Sequence, residues 1–267
     1  MKYLCLVGAV LGLVACAFDS GPGPAPVFQT GQVAPPPTDY EALLGHPDRP
    51  GADKGSDALR KPADVLKFAG VGYGMQVLEL TAGSGYYTEL MSHAVGETGR
   101  IYMQNLPLLD SDLEEAIGAR IADNRLPNVE QLRADFDDLP VSDRSIDLIT
   151  WILGPHELWA APSRQADYSV GEPDKAFLEI ARTLKPGGRF IVLDNAAAAG
   201  GKAVATAIAH RLDPAIVIAS AEAAGLTLVE RSDLLANPDD DQSVDGLDPA
   251  IQHRTDRFLL SFERSAL

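Results

Sequence analysis

At 267 residues with 46% hydrophobic side chains, the chain is long enough for one large α/β domain plus a tail. A formal charge of −16 and a pI of about 4.6 set up a field that repels phosphate backbones and anionic headgroups, which argues against nucleic acid as a substrate. Of the two cysteines, Cys5 lies in a segment expected to be discarded and Cys16 at its end, so neither disulfides nor thiolate metal sites are expected.

Met1-Lys2 is a minimal positive start, and Tyr3 to Val14 is an apolar run too short to span a bilayer, which predicts a signal peptide over residues 1–15. Leu13-Val14-Ala15-Cys16 resembles the lipobox of bacterial lipoproteins, which implies diacylation of Cys16 and removal of the peptide before it. Two or three acyl chains anchor a protein stably where one does not. Ala17 and Phe18 follow the cysteine, and by resemblance to lipoprotein sorting rules they imply the outer membrane, where the cell has one, with the domain on its periplasmic side. The alternative is an ordinary signal peptide with a chance cysteine. Residues 16–37, Pro/Gly-rich from Ser20 to Pro37, read as a tether, and 38–267 as the folded domain.

Thr38 to Leu66 carries His46-Pro47-Asp48-Arg49-Pro50 and a helix start at Pro62. It reads either as a solvated preface or as a lid with Arg49 or Arg60 reaching a carboxylate. Gln76 to Leu80 is then a buried parallel strand, apolar on both faces except for Glu79, and Thr88 to Ser92 begins a helix. Between them Gly83 and Gly85 let main-chain N–H groups approach a ligand. A dinucleotide fingerprint needs a third glycine where Thr88 stands. Glu79-Leu80-Thr81-Ala82-Gly83-Ser84-Gly85 instead resembles the acid-x-G-x-G-x-G pattern of S-adenosylmethionine (SAM) sites in class I methyltransferases, with Thr81 replacing the first glycine. That resemblance implies cofactor contacts at Glu79, Thr81, Ala82, Gly83 and Gly85; a plain strand-to-helix turn is the alternative.

Gly99 to Asn105 is the second strand, and Asn105 stands where an acidic residue about twenty positions past the glycines bonds ribose hydroxyls. Val129 to Ala134 is the third. Asp135-Phe136-Asp137-Asp138-Leu139-Pro140 resembles the class I segment whose first Asp accepts from the adenine amino group, with Phe136 flanking the ring. Ile146 to Leu153, the fourth strand, runs into Gly154-Pro155-His156-Glu157, where the resemblance places the methyl group. His156 can act there as a base near neutral pH and Glu157 can orient it or bind a cation, unless the histidine is structural.

Leu184-Lys185-Pro186-Gly187-Gly188-Arg189, before the apolar strand Phe190 to Asp194, resembles the class I methyltransferase hallmark. With the early HPDRP and RKPADVL segments and the last third of the chain, it identifies a family of bacterial predicted methyltransferases that often carry export signals. The resemblance implies a Rossmann-like α/β fold, a three-layer sandwich around a seven-stranded, mostly parallel sheet of order 3-2-1-4-5-7-6. Thr227 to Glu230 and Phe258 to Phe262 supply the last two strands, the final one antiparallel. It implies SAM as cofactor and a small-molecule methyl acceptor; the rival is a lipoprotein of this fold that binds another ligand or a partner without catalysis. Neither the acceptor nor the oligomeric state can be read from the residues. Helical spacing puts His210 and Asp213 on one face, so Asp213 is expected to orient His210 or to pair with Arg211; the pair reads either as a helix-end salt bridge or as His210 and Arg211 over the crevice, with Arg211 holding a substrate anion by two-point contact. No metal site is expected, because the Asp-rich stretch Asp239 to Gly246 imitates a calcium loop without its closing Glu.

Overall fold

The computed structural model describes residues 38–164, 170–252 and 254–266, so the signal segment, Cys16 and the tether lie outside the described residues. Three short helices, α1 (Tyr40–Leu44), α2 (Gly51–Arg60) and α3 (Pro62–Ala69), precede an alternating core. Its first half runs β1 (Gln76–Leu80), α4 (Tyr86–Val95), β2 (Arg100–Asn105), α5 (Ser111–Ile121), β3 (Val129–Arg133) and β4 (Ile146–Ile152). The second half runs α6 (Glu157–Arg164), α7 (Pro173–Thr183), β5 (Leu184–Asn195), α8 (Ala203–Ile208), α9 (Pro214–Ala223), β6 (Leu226–Ser232) and β7 (Arg257–Arg264).

The seven strands form one sheet of order β3-β2-β1-β4-β5-β7-β6, as expected. Strands β1 to β5 pair in parallel, and β7 inserts antiparallel between β5 and β6. A parallel sheet must be covered on both faces, which is why its strands are continuous apolar runs. Leu78 and Leu80 pack with Phe177 and Ile180 of α7 and Val217 of α9. Val77, on the opposite face, packs with Val65 and Leu66 of α3 and Leu90 and Met91 of α4. Gly188 lets the start of β5 come close to β4, since a Cβ there would lie 3.2 Å from the Ile146 carbonyl oxygen.

Of the segment before the sheet, α3 is packed into the core, while α1 and α2 bury no whole residue and are tied down by buried Arg49. Lys61 in the left-handed region ends α2, and Pro62, already fixed for helix, begins α3. Arg49 is buried and pairs with Asp57 of α2 through two hydrogen bonds of 2.9 and 2.8 Å, and the Tyr86 hydroxyl donates to the same carboxylate at 2.5 Å. The carboxylate expected for Arg49 is therefore one of the chain's own. Arg120 of α5 donates at 2.7 Å to Asp53 and at 2.9 Å to the Ser84 carbonyl, so α2 is tied to the turn that follows β1.

Glu79 sits at the centre of the β1–α4 corner, 3% exposed, and accepts a hydrogen bond from the Thr88 hydroxyl. It faces the interior rather than the crevice, which corrects its expected role as a cofactor contact: strand alternation turns it toward α4. Burial pushes its carboxyl up to about 8, against the opposing effects of the Thr88 hydrogen bond and the Arg120 charge. The folded state thus holds a proton that the unfolded chain releases near 4.5. This contribution to stability is complete below that value and is lost as pH rises through about 8. Glu79→Gln, which fixes the neutral form, should raise the melting temperature relative to wild type at pH 8 and leave the two nearly equal at pH 4.5. Thermal unfolding at both pH values checks this; an equal effect at the two would show that the carboxyl is ionised in the folded protein.

Candidate active site

The carboxyl ends of β1, β2, β4 and β5 meet along one edge of the sheet. After β1 the chain turns through three left-handed residues, Thr81 (φ 51°), Gly83 (φ 58°) and Gly85 (φ 86°). That conformation is a rare one for a β-branched residue, and it explains why glycine stands first in the pattern that this turn resembles. Thr81 is held there by three contacts. Its N–H donates to the Gln104 side-chain oxygen at 2.9 Å, and its hydroxyl accepts from Trp151 Nε1 at 3.0 Å. Across from it, a Cβ on Gly154 would lie only 2.6 Å from the Thr81 Cβ, so the threonine is accommodated by a glycine after β4.

At Gly83 a Cβ would meet nothing within 4 Å, so the main chain of the turn faces open space at the carboxyl edge. Gly85 does the opposite: a Cβ there would press on Met103 at 3.0 Å and on Arg120 at 3.1 Å, so its role is close packing rather than ligand contact. Asn105 closes the turn from below. Its side-chain oxygen accepts from the Gly83 N–H at 2.8 Å, and its side-chain nitrogen donates to the Gly83 carbonyl at 3.1 Å. Buried to 2% exposure and engaged at both ends of its amide, Asn105 holds the turn instead of presenting itself to a ribose.

Asp135 is half-buried after β3, and its carboxyl is raised by burial and by the charges of Asp137 and Asp138. Phe136 does not flank a ligand. It is fully buried against Trp151, ring centroids 4.7 Å apart, and its N–H donates to the Val170 carbonyl at 2.9 Å. Alternation past the end of β3 sends Asp135 outward and Phe136 into the core.

The densest polar grouping lies after β4 and β5. Asp194, at the end of β5 and 0% exposed, accepts from the His156 main-chain N–H at 2.9 Å and from the Asn195 N–H at 2.9 Å. The same carboxylate lies 2.9 and 3.0 Å from His156 Nδ1. His156 Nε2 stands 3.5 Å from Glu157 Oε1. Burial lowers the imidazole pKa, yet Asp194, aided by Glu157, overcomes this and pushes it up to about 10. The buried carboxylate thus favours the charged form of the His156 ring, which lies between Asp194 and Glu157. Asp194, the last residue of the strand read from Phe190, is the residue that orients it.

Residues 209–213 also differ from expectation. Helix α8 ends at Ile208, and His210 (φ 51°) sits in a turn, so helical spacing does not hold there. Its Nδ1 lies 2.8 Å from Asp245, and its ring meets that of His156 edge to face, centroids 5.3 Å apart. Asp213 caps α9, accepting from the Ala215 N–H at 2.9 Å, and also accepts from the Gly200 N–H. Arg211, 2% exposed, donates to the Val244 and Ala196 carbonyls and forks onto Asp240 at 2.9 and 3.1 Å. It pins the 240–246 loop, and its planar fork, expected for a substrate anion, is occupied by Asp240. Among the described residues, Arg60 and Arg257 face a cavity at this edge. With Leu153, His156, Asn195 and Thr255 they line a space of about 140 Å³. Burial, together with the neighbouring charge of Arg60, lowers the Arg257 pKa.

Residues 72–224, more than half of the chain, match a family described as a methyltransferase domain. The chain belongs to the methyltransferase-domain family. SAM is the cofactor of that family, and the turn with its open Gly83 fits it. Among curated proteins, the chain is 33% identical over 132 residues to the ubiquinone/menaquinone biosynthesis C-methyltransferase UbiE of Klebsiella pneumoniae subsp. pneumoniae, covering 49% of this chain and 46% of that protein. It is 30% identical over 132 residues to UbiE of Idiomarina loihiensis, with the same coverage. The chain thus spans about half the length of these relatives. Of solved structures, a SAM-dependent methyltransferase from Aquifex aeolicus superposes with a TM-score of 0.56 at 20% identity, over 85% of this chain and 98% of that one. A geranyl diphosphate C-methyltransferase from Streptomyces coelicolor A3(2), solved with Mg2+, geranyl diphosphate and S-adenosyl-L-homocysteine, gives 0.57 at 14% identity, over 84% of this chain and 87% of that one. At these identities the two structures speak for the fold alone.

The Arg211 fork predicts that Arg211→Lys lowers stability by about 1–3 kcal/mol, because an ammonium cannot make the planar two-point contact to Asp240. SAM affinity of the folded fraction should not change. Urea unfolding and calorimetry check this; unchanged stability with lost turnover would return Arg211 to the substrate.

Proposed function

We propose that the chain catalyses SAM-dependent methyl transfer to a small, anionic acceptor and works tethered to a bacterial envelope. The observation that carries the reading is the turn at Gly83, whose open main chain faces the carboxyl edge of the sheet within a methyltransferase domain. Ala82 and Gly83 would hold the cofactor's methionine end and Asp135 its adenine. When bound, SAM supplies a methyl group on a positively charged sulfur, open to in-line attack.

The chain's own residues act on the acceptor. A space of about 140 Å³ suits a small molecule, and Arg60 and Arg257 bring positive charge to its wall beside His156 in a protein that is otherwise strongly acidic. Such a site favours an acceptor that arrives as an anion, already nucleophilic, so that positioning supplies most of the acceleration. The curated relatives are C-methyltransferases by name, which is compatible with a carbanionic or enolate acceptor. The Thr81 side chain in place of a glycine favours the rival reading, a non-catalytic binding protein of the same fold.

Calorimetric titration of the purified full-length chain with SAM separates the two. Saturable binding is expected, and absence of heat at millimolar SAM would overturn the methyltransferase reading. The tether makes a separate prediction. Among the described residues no helix is long and apolar enough to cross a membrane. Cys16→Ser should therefore release the protein from the membrane fraction or stall its processing; unchanged partition and processing would exclude lipidation at Cys16.

A further inference from the structure

His156, Glu157 and His210 each offer a ligating atom, and the three atoms lie within 4.8 Å of one another. These residues come from two separate stretches, the β4–α6 junction and the turn after α8, which the sheet edge brings together. His156 Nε2 and Glu157 Oε1, 3.5 Å apart, already stand near the separation of about 3.3 Å expected for two ligands of a tetrahedral zinc ion.

The surroundings of the two imidazoles are a second, independent observation. His156 has its Nδ1 on Asp194 at 2.9 Å, and His210 has its Nδ1 on Asp245 at 2.8 Å. In each ring a carboxylate engages Nδ1, which in His156 turns Nε2 toward Glu157; a carboxylate on the far nitrogen is the outer arrangement that metal-binding histidines show. Asp194 is itself fixed by two main-chain N–H groups, and Asp245 by that of Leu247, so both carboxylates are held in place. A pair of histidines merely packed together needs no such support on both rings.

We infer that His156, Glu157 and His210 form a binding site for one divalent transition-metal ion, with Asp194 and Asp245 as positioning residues. Two imidazoles and one carboxylate suit Zn(II), Co(II) or Fe(II) and disfavour Mg2+ and Ca2+, which take oxygen ligands. Three protein ligands leave a coordination position open, and His156 also lines the cavity assigned above to the acceptor, so an ion here would meet an acceptor oxygen. The site itself does not depend on the methyl-transfer reading, because metal binding is measured without SAM or an acceptor.

The test uses the full-length chain stripped by chelator and titrated with Co(II) alone. One equivalent should bind and give visible absorption bands of a low-coordinate nitrogen and oxygen site; Zn(II) should abolish the bands, and excess Mg2+ should not. His210→Ala and Glu157→Gln, both near the surface, should keep the far-ultraviolet circular dichroism of the wild type and weaken Co(II) binding at least about 10-fold. Asp194→Asn, provided that it folds, should weaken it about 10- to 100-fold while every ligand remains. The inference is overturned if the wild type takes up no stoichiometric Co(II) or Zn(II), if Mg2+ competes on equal terms, or if the folded His210→Ala and Glu157→Gln proteins bind as tightly as the wild type.

Discussion

Two adjacent amides at the end of β2 hold the turn on which the proposed cofactor site depends. Gln104 accepts from the Thr81 N–H through its side chain and from the Ala82 N–H through its carbonyl, and its own side-chain nitrogen reaches the Ala134 carbonyl after β3. Asn105 takes Gly83 at both its N–H and its carbonyl. A turn with three left-handed residues is strained wherever one of them carries a branched side chain, and it keeps one shape only when its surroundings over-determine it. Here two amides, the Trp151 indole and the space left by Gly154 do so. The clamp holds the turn with Gly83 facing open space, where an added Cβ would meet nothing within 4 Å.

The same clamp accounts for the two departures from the pattern that the turn resembles. A carboxylate at position 105 could accept from the Gly83 N–H but could not donate to the Gly83 carbonyl, whereas an amide does both. Asn105 therefore exchanges a charged contact to a ligand for a firmer turn. Thr81 likewise gives up the freedom of glycine and gains a hydrogen bond that ties the turn to β4. Further along the edge, Asp194 does for the β4–α6 junction what Gln104 and Asn105 do for the turn. One buried carboxylate takes a main-chain N–H from each side of the β4–β5 crevice and sets the His156 ring between them.

Much of this was legible in the sequence, and the rest was hidden for identifiable reasons. The strands announced themselves as apolar runs between glycine and proline turns, and β1 has the boundaries read from the residues, Gln76–Leu80. Side chains whose direction depends on a single step of register were less legible: Phe136 was assigned to a ligand and is core, because the last residues of β3 alternate past the strand's end. The partners of His210 and Arg211 were missed because they come from far along the chain. Asp240 and Asp245 are 29 and 35 residues away, in a loop whose only sequence signal is its acidity. Asp213 was the nearer candidate, yet Asp-Pro before an apolar stretch is a helix N-cap signature, and that signal foretold its role. The pairing of His156 with Asp194 joins two strand ends that sit side by side only once the sheet order is known.

In the proposed enzyme the cofactor sits at the clamped turn after β1. Amide hydrogen exchange of the full-length chain, measured with and without saturating SAM, tests it most directly. SAM should slow exchange in the peptides spanning Thr81 to Gly85 and Gln104 to Asn105 by a clear margin over the rest of β1 to β5. Saturable SAM binding that left these peptides exchanging as in the free protein, with protection elsewhere, would contradict the account.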